Sequence, residues 1–365
     1  MTDNYSTKTG IIRNFTPGWF ASVMGTAVFV VEVFVFRGSL PFANFVQLFF
    51  LGLAAIMFML IFIPWILRWI FHFDAVSQDL QHPVSASFFP TMPISLIILG
   101  IAFEKAGPLF LSEAILFPML QALWILGTLG IGGFALALLN IYFRRQNLDW
   151  KVGNLGWLIP PVSALIVPVL GNSLAVEYAG TLLGTINFIT SLIFLGIGGI
   201  LFLFVMTTVF SRYMFHELPP SRLAPTMWIG IAPTAIMAII AIKMIQPLSI
   251  FFTAPEAATQ TIAILAKAVG IGLWGFAFFW LLLAITATLS QHRKSPLPFA
   301  MSWWAFTFPF GAFVVSTGVV FQATQAAFFQ WVGLASLAAF LIVWGMVAAR
   351  TVQGIVSGEI FKPAH

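Results

Sequence analysis

The sequence predicts an all-α integral membrane protein of ten transmembrane helices, arranged as five repeated helical hairpins, and three observations carry that prediction. The 365-residue chain is 60% hydrophobic and 7% charged, with a mean hydropathy of +1.02, which is more apolar surface than one water-soluble core can bury. Its apolar residues fall in runs long enough to cross a bilayer, for which about 20 helical residues suffice. Prolines stand at or inside alternate runs, at Pro17, Pro90, Pro160, Pro233 and Pro309, with steps of 73, 70, 73 and 76 residues. A step of that size holds two spanning helices and their loops.

The first run, 17–36, opens on Thr16-Pro17, a favourable N-cap and first-turn pair. A polar stretch with Lys8 and Arg13 precedes it and no small-residue cleavage pattern follows, so it reads as a retained helix rather than a removed signal. The second run, 45–71, carries Gly52; the third, 86–103, opens near Pro90; the fourth, 114–143, holds Leu129-Gly130-Ile131-Gly132-Gly133. The fifth, 156–175, opens near Pro160, and the sixth, 181–211, repeats the glycine cluster as Leu195-Gly196-Ile197-Gly198-Gly199. The seventh, 223–244, carries Pro233; the eighth, 258–289, Gly270-Ile271-Gly272; the ninth, 299–321, Pro309; the tenth, 329–351, Gly333. All are far longer than the ~10 residues of a tilted barrel strand and none alternates in polarity. Residues 1–365 therefore read as a single transmembrane domain.

Basic residues predict the orientation. Lys8, Arg13, Arg68, Arg144, Arg145, Lys151, Arg212, Arg222, Arg293, Lys294, Arg350 and Lys362 share the side of the N-terminus, 12 of the 16 in the chain, which makes both termini cytoplasmic. The net charge of +5 follows from that topology and calls for no nucleic-acid partner. A plasma membrane, the inner membrane of a bacterium, is the expected location.

Proline inside a helix frees the carbonyl four residues earlier, so Pro233 is expected to free Ile229 and Pro309 to free Ala305. Freed carbonyls are tolerated only where protein or a water-filled cavity receives them, which predicts an inner ring of five proline-kinked odd helices. The glycine-bearing even helices then pack closely around it as an outer ring. The pathway so enclosed is expected to be lined by the five prolines with Gly25, Thr26, Phe89, Thr91, Ser163, Thr234 and Thr307. Glu32 is the one charge well inside an odd run; its place near the outer end assigns it to the interface rather than to a proton relay.

This lining excludes two enzyme classes. The five histidines, His72, His82, His216, His292 and His365, lie in loops or at the terminus without ligand spacing, and the chain has no cysteine, so neither a metal centre nor a cofactor is expected. No Gly-x-Ser-x-Gly and no embedded acid pair supports hydrolysis. Gly130–Gly133 follows no strand and lacks the Lys-Ser/Thr pair of a phosphate loop. His82 is expected to stabilise its loop.

Three segments carry a family resemblance: Phe15-Thr16-Pro17-Gly18-Trp19-Phe20-Ala21-Ser22-Val23-Met24-Gly25-Thr26, then His82-Pro83-Val84 with Phe88-Phe89-Pro90, then Ser302-Trp303-Trp304-Ala305-Phe306-Thr307-Phe308-Pro309. In order and spacing the chain resembles the tellurite-resistance/dicarboxylate transporter family, which includes the plant slow-type anion channels and fungal malate and sulfite transporters. The resemblance implies a homotrimer with one pore per subunit, lined by the odd helices. It also implies a gating phenylalanine directly before the ninth-helix proline, which is Phe308 here, with Phe306 as the nearby alternative. Two functions are then expected: a pore for small anions, or a proton-coupled carrier of a C4-dicarboxylate such as malate, or of sulfite or tellurite oxyanions.

Overall fold

The computed structural model describes residues 8–144, 152–217 and 219–361. Arg145, Lys151, Lys362 and His365 lie outside them. Among the described residues every regular element is helical, and ten helices are long and apolar enough to span: Pro17–Val35, Ala43–Phe71, Ala86–Leu109, Glu113–Arg144, Leu155–Glu177, Leu182–Phe215, Ser221–Lys243, Glu256–Lys294, Met301–Thr324 and Ala327–Ser357. The even spans outrun their hydrophobic cores. The eighth has 39 residues, about 58 Å of helix, and closes on Gln291, His292, Arg293 and Lys294, because backbone hydrogen bonding continues into water after side-chain apolarity stops. Three short α-helices outside the spans, Lys8–Arg13, Phe73–Gln81 and Ile245–Phe251, have no counterpart in the hydrophobic pattern.

The ten spans form two layers. The odd ones are 78–94% buried within the molecule and the even ones 22–33%. Contacts in the buried layer run from first to third, third to fifth, fifth to seventh, seventh to ninth, and from the ninth back to the first. Each even span packs on the odd span preceding it. Tryptophan N–H groups join the layers: Trp124 Nε1 donates to the Val167 carbonyl at 2.9 Å, Trp280 Nε1 to the Met227 carbonyl at 2.9 Å, and Trp274 Nε1 to Thr317 Oγ1 at 2.8 Å. Between the fourth and sixth spans, Gln121 and Asn187 exchange two amide hydrogen bonds, of 3.1 and 2.8 Å, satisfying both buried side chains away from water.

The prolines act differently from the expected mid-helix kinks. Each buried span opens with a 3-10 segment, and its proline lies in that segment or at the first turn of the α-helix that follows. At Pro90, Pro160 and Pro233 the carbonyl four residues earlier, on Ala86, Gly156 or Ile229, accepts from the N–H of the residue directly before the proline. A 3-10 bond thus closes what an α-helical bond would leave open. At Pro17 the corresponding carbonyl, on Arg13, accepts from Arg68 Nε at 2.9 Å. No cavity is needed to receive these carbonyls, so the inward position of the odd spans has another cause: they are apolar all round and carry polar groups that lipid would not solvate. Prolines in helix interiors do exist, at Pro64, Pro118 and Pro168, two of them on even spans.

The glycine clusters also divide. A methyl group on Gly130 or Gly198 would lie within 3 Å of Pro93 or Leu165, on the third and fifth spans. Gly52, Gly133, Gly196 and Gly199 meet nothing within 4 Å and contribute no close packing.

Candidate functional site

The start of the ninth span is a 3-10 segment, Met301–Phe306, linked through Thr307 to the α-helix Phe308–Thr324. Its side chains are anchored one by one. Trp304 is almost fully buried and donates from Nε1 to Thr351 Oγ1 of the tenth span at 3.0 Å. Phe306 sits edge-on to Trp228 of the seventh span at 5.2 Å and to Trp303 at 5.8 Å. Phe310 meets the same Trp228 at 5.8 Å and Phe340 of the tenth span at 6.2 Å. Phe313 stacks on Trp274 and Phe278 of the eighth span.

Phe308 stands apart. It is 5% exposed, yet among the described residues it makes no ring–ring contact. At about 100° per residue it lies about 140° around the helix from Phe313 and about 180° from Thr317, the two residues that meet Trp274. Its ring therefore leaves the helix on the face turned away from the eighth span. Phe306, by contrast, is committed to two tryptophans.

Two close approaches between the first and ninth spans bracket that ring. On one side Gly25 meets Thr307: a methyl on Gly25 would lie 2.0 Å from Thr307 Oγ1 and 3.2 Å from Trp304 Cε3. On the other, Gly311 meets Val28 and Glu32, where a methyl would lie 2.5 Å from Val28 Cγ1 and 2.6 Å from Glu32 Oε1. Only glycine admits either approach.

The remaining sequence-predicted residues separate into groups. Pro17, Pro90, Pro160, Pro233 and Pro309 are buried in the odd spans. The single hydroxyl proton of Thr91 is shared between the Pro17 carbonyl at 2.8 Å and the Phe88 carbonyl at 2.6 Å, tying the third span to the first. Ser163, Thr234 and Thr307 are buried and donate to carbonyls three residues back, on Pro160, Ile231 and Trp304. Two expectations are corrected. Thr26 faces outward, accepting from Trp344 Nε1 of the tenth span at 3.1 Å and lying 3.7 Å from Met57 Sδ of the second. Phe89 turns to Trp69 and Phe134 on the second and fourth spans.

Electrostatically the buried layer is almost neutral. Its hydroxyl protons are taken by backbone carbonyls, in Ser95, Thr226, Ser316 and Thr317 as in those above, so no row of free donors waits for an anion. The exception contradicts the interfacial reading: Glu32 is 0% exposed, with both carboxyl oxygens lacking hydrogen-bond partners. Asn172 of the fifth span, 4% exposed with Oδ1 unbonded, went unnoticed in the sequence, although it is the one amide inside the odd hydrophobic runs. His82 Nδ1 accepts from the backbone N–H groups of Val84 and Ser85 at 3.3 and 3.2 Å, a loop-fixing contact. Among the described residues no three His, Asp or Glu side chains gather as a metal site.

Known proteins resemble this chain in sequence. An uncharacterized transporter of Methanocaldococcus jannaschii is 31% identical over 99% of both chains. The sulfite efflux pump SSU1 of Arthroderma benhamiae is 24% identical, covering 96% of this chain and 93% of the pump. The S-type anion channel SLAH2 of Arabidopsis thaliana is 21% identical over 73% of this chain and 44% of its own length. The family model for voltage-dependent anion channels, SLAC1, matches residues 14–352. With ten spans and that match over nearly its whole length, the chain is a multi-pass membrane protein and belongs to the SLAC1 family of anion transport proteins.

Proposed function

We propose that each subunit passes small anions along the axis enclosed by the five odd spans and that the Phe308 ring closes this path. The reading is carried by one observation, a buried aromatic ring without ring partners on the face of the ninth span turned away from the eighth. An apolar ring across a narrow, neutral tube stops ions by denying them water, and its rotation restores a path. Selectivity is weak and comes from the mouth, where the positive ends of outward-running helices meet basic side chains such as Arg144, Arg293 and Lys294. Purified protein in planar bilayers is expected to give a voltage-driven, non-saturating current, larger for nitrate than for the more strongly hydrated chloride. Saturable, pH-driven malate uptake into proteoliposomes without such current would overturn the pore.

The carrier reading has one support, the sulfite pumps among the relatives. Against it stands desolvation: a dianion at the midplane needs a fixed cation, and the odd spans hold no buried Lys or Arg. Sulfite therefore belongs in the anion panel, with malate and tellurite. The resemblance supports a homotrimer of single transmembrane domains, each with its own path, in the plasma membrane. The skew of basic residues supports cytoplasmic termini. Because the chain has no cysteine, a single introduced one reports the topology: a membrane-impermeant maleimide is expected to label Arg37→Cys on intact cells and Arg293→Cys only in inverted vesicles. The reverse pattern would invert the assignment.

A further inference from the structure

We propose that Glu32 is a proton-binding switch packed against the gate helix: as the acid it seats the first span against the ninth one turn from Phe308, and its ionisation releases that contact. The proton site stands on its own geometry, while its effect on anion flow rests on the pore reading above.

The carboxyl lies one turn from the outer end of the first span, fully buried, with neither oxygen bonded. An ionised group there would need a cation or solvent; full burial keeps it from bulk solvent, and among the described residues no cation on the packed elements pairs with it. The ninth span carries no charged residue. Arg68 and Arg350, on the second and tenth spans, sit in the last turns of those helices or near them, and Arg68 pairs with Asp79 at 2.6 Å. On the third span Lys105 is paired with Glu104 at 2.7 Å. Arg37, just beyond the first span, lies 4.0 Å over the Phe34 ring. Glu32 is thus accommodated as a neutral acid.

A neutral acid is also what the neighbours call for. Phe29 and Phe50 meet at 4.5 Å across the antiparallel first and second spans; one turn further along each helix, that register sets Glu32 opposite Gln47. Gln47 is 1% exposed, its Nε2 donates to the Ala43 carbonyl at 3.3 Å, and its Oε1 has no partner. Two unpaired acceptors at one level become compatible when a single proton sits between them. Meanwhile Glu32 Oε1 fills the space that Gly311 leaves, where a methyl group would lie 2.6 Å away. Gly311 is one helical turn from Phe308, so hydrating Glu32 disturbs the first-to-ninth packing at the level of the gate.

The test uses two readouts on purified protein in lipid. Infrared difference spectra taken while pH is stepped are expected to show the carbonyl band of a buried carboxylic acid that disappears on alkalinisation, is absent in Glu32→Gln and is shifted in Gly311→Ala. Chloride current through the wild type is expected to rise several-fold over the pH interval in which the band is lost, while Glu32→Gln stays at the acid-side level. A band that survives in Glu32→Gln, or a Glu32→Gln current with the wild-type pH dependence, would overturn the switch. Should Glu32→Gln fail to insert, Glu32→Asp serves instead and must move the band. A wild type whose band titrates but which carries no chloride current at any pH would sink the pore reading and the regulatory half, and leave the proton site standing.

Discussion

Replacing Phe308 with alanine is expected to raise anion current by at least tenfold, measured in oocytes or planar bilayers with chloride. A phenylalanine ring withdrawn from water is stabilised by roughly 1.5–3 kcal/mol. If that burial holds the path shut, its loss shifts the closed-to-open balance by roughly 10- to 100-fold, and the smaller side chain also no longer spans the tube. The same substitution is expected to cost less stability than the loss of a stacked ring. Core Phe→Ala changes cost about 3–5 kcal/mol when they leave a cavity among packed neighbours, and Phe308, although buried, makes no ring–ring contact among the described residues. Phe313→Ala is the control: its ring is fully buried between Trp274 and Phe278, so it is expected to lower the melting temperature strongly and leave gating intact. An unchanged current in Phe308→Ala, or a loss of stability equal to that of Phe313→Ala, would identify Phe308 as ordinary core.

Gly25→Ala is expected to be strongly disruptive for a single-methyl change. The added carbon would lie 2.0 Å from Thr307 Oγ1 and 2.8 Å from Thr307 Cβ, and neither atom can retreat, because the hydroxyl donates to the Trp304 carbonyl at 2.8 Å and Trp304 is itself pinned to Thr351. The first and ninth spans must therefore part beside Phe308, at a cost in the range of about 1–3 kcal/mol for overpacking, and the shut state leaks. Thr307→Ala in the same chain removes the closer clash and keeps the 2.8 Å one, so partial recovery of melting temperature and of the closed state is expected. The double mutant serves as a coupling test between residues 25 and 307. Additive effects would mean that the two positions do not meet.

The two predictions concern positions that the sequence marked unevenly. Phe308 was legible only through its place before Pro309 in a family-like segment; nothing in composition separates it from Phe306, Phe310 or Phe313. What separates them is which helix each ring meets, a property of the assembled bundle. Thr26 and Phe89 show the same limit, since both belong to buried spans and both turn outward, toward Trp344 in one case and Trp69 and Phe134 in the other. Gly25 looked like a lining residue and is a point of helix contact. Depth alone assigns Glu32 to the interface, as if its distance from the end of the hydrophobic run decided its surroundings, and the lateral packing of the first span on the ninth at Gly311 buries it instead.

Ten spans, their order and the one-sided bias of their basic residues came from the chain alone, because the cost of placing backbone and charge in hydrocarbon acts on each segment separately and leaves its mark in run length and composition. Which face of each span looks inward did not. The inner helices are apolar on every side, so they carry no amphipathic stripe from which direction could be read, and the switch from 3-10 to α geometry that sets each proline at a first turn is equally silent in composition. Only close packing between helices settles those two matters, through approaches such as Gly25 to Thr307 and Gly311 to Glu32 that exist once distant parts of the chain have met.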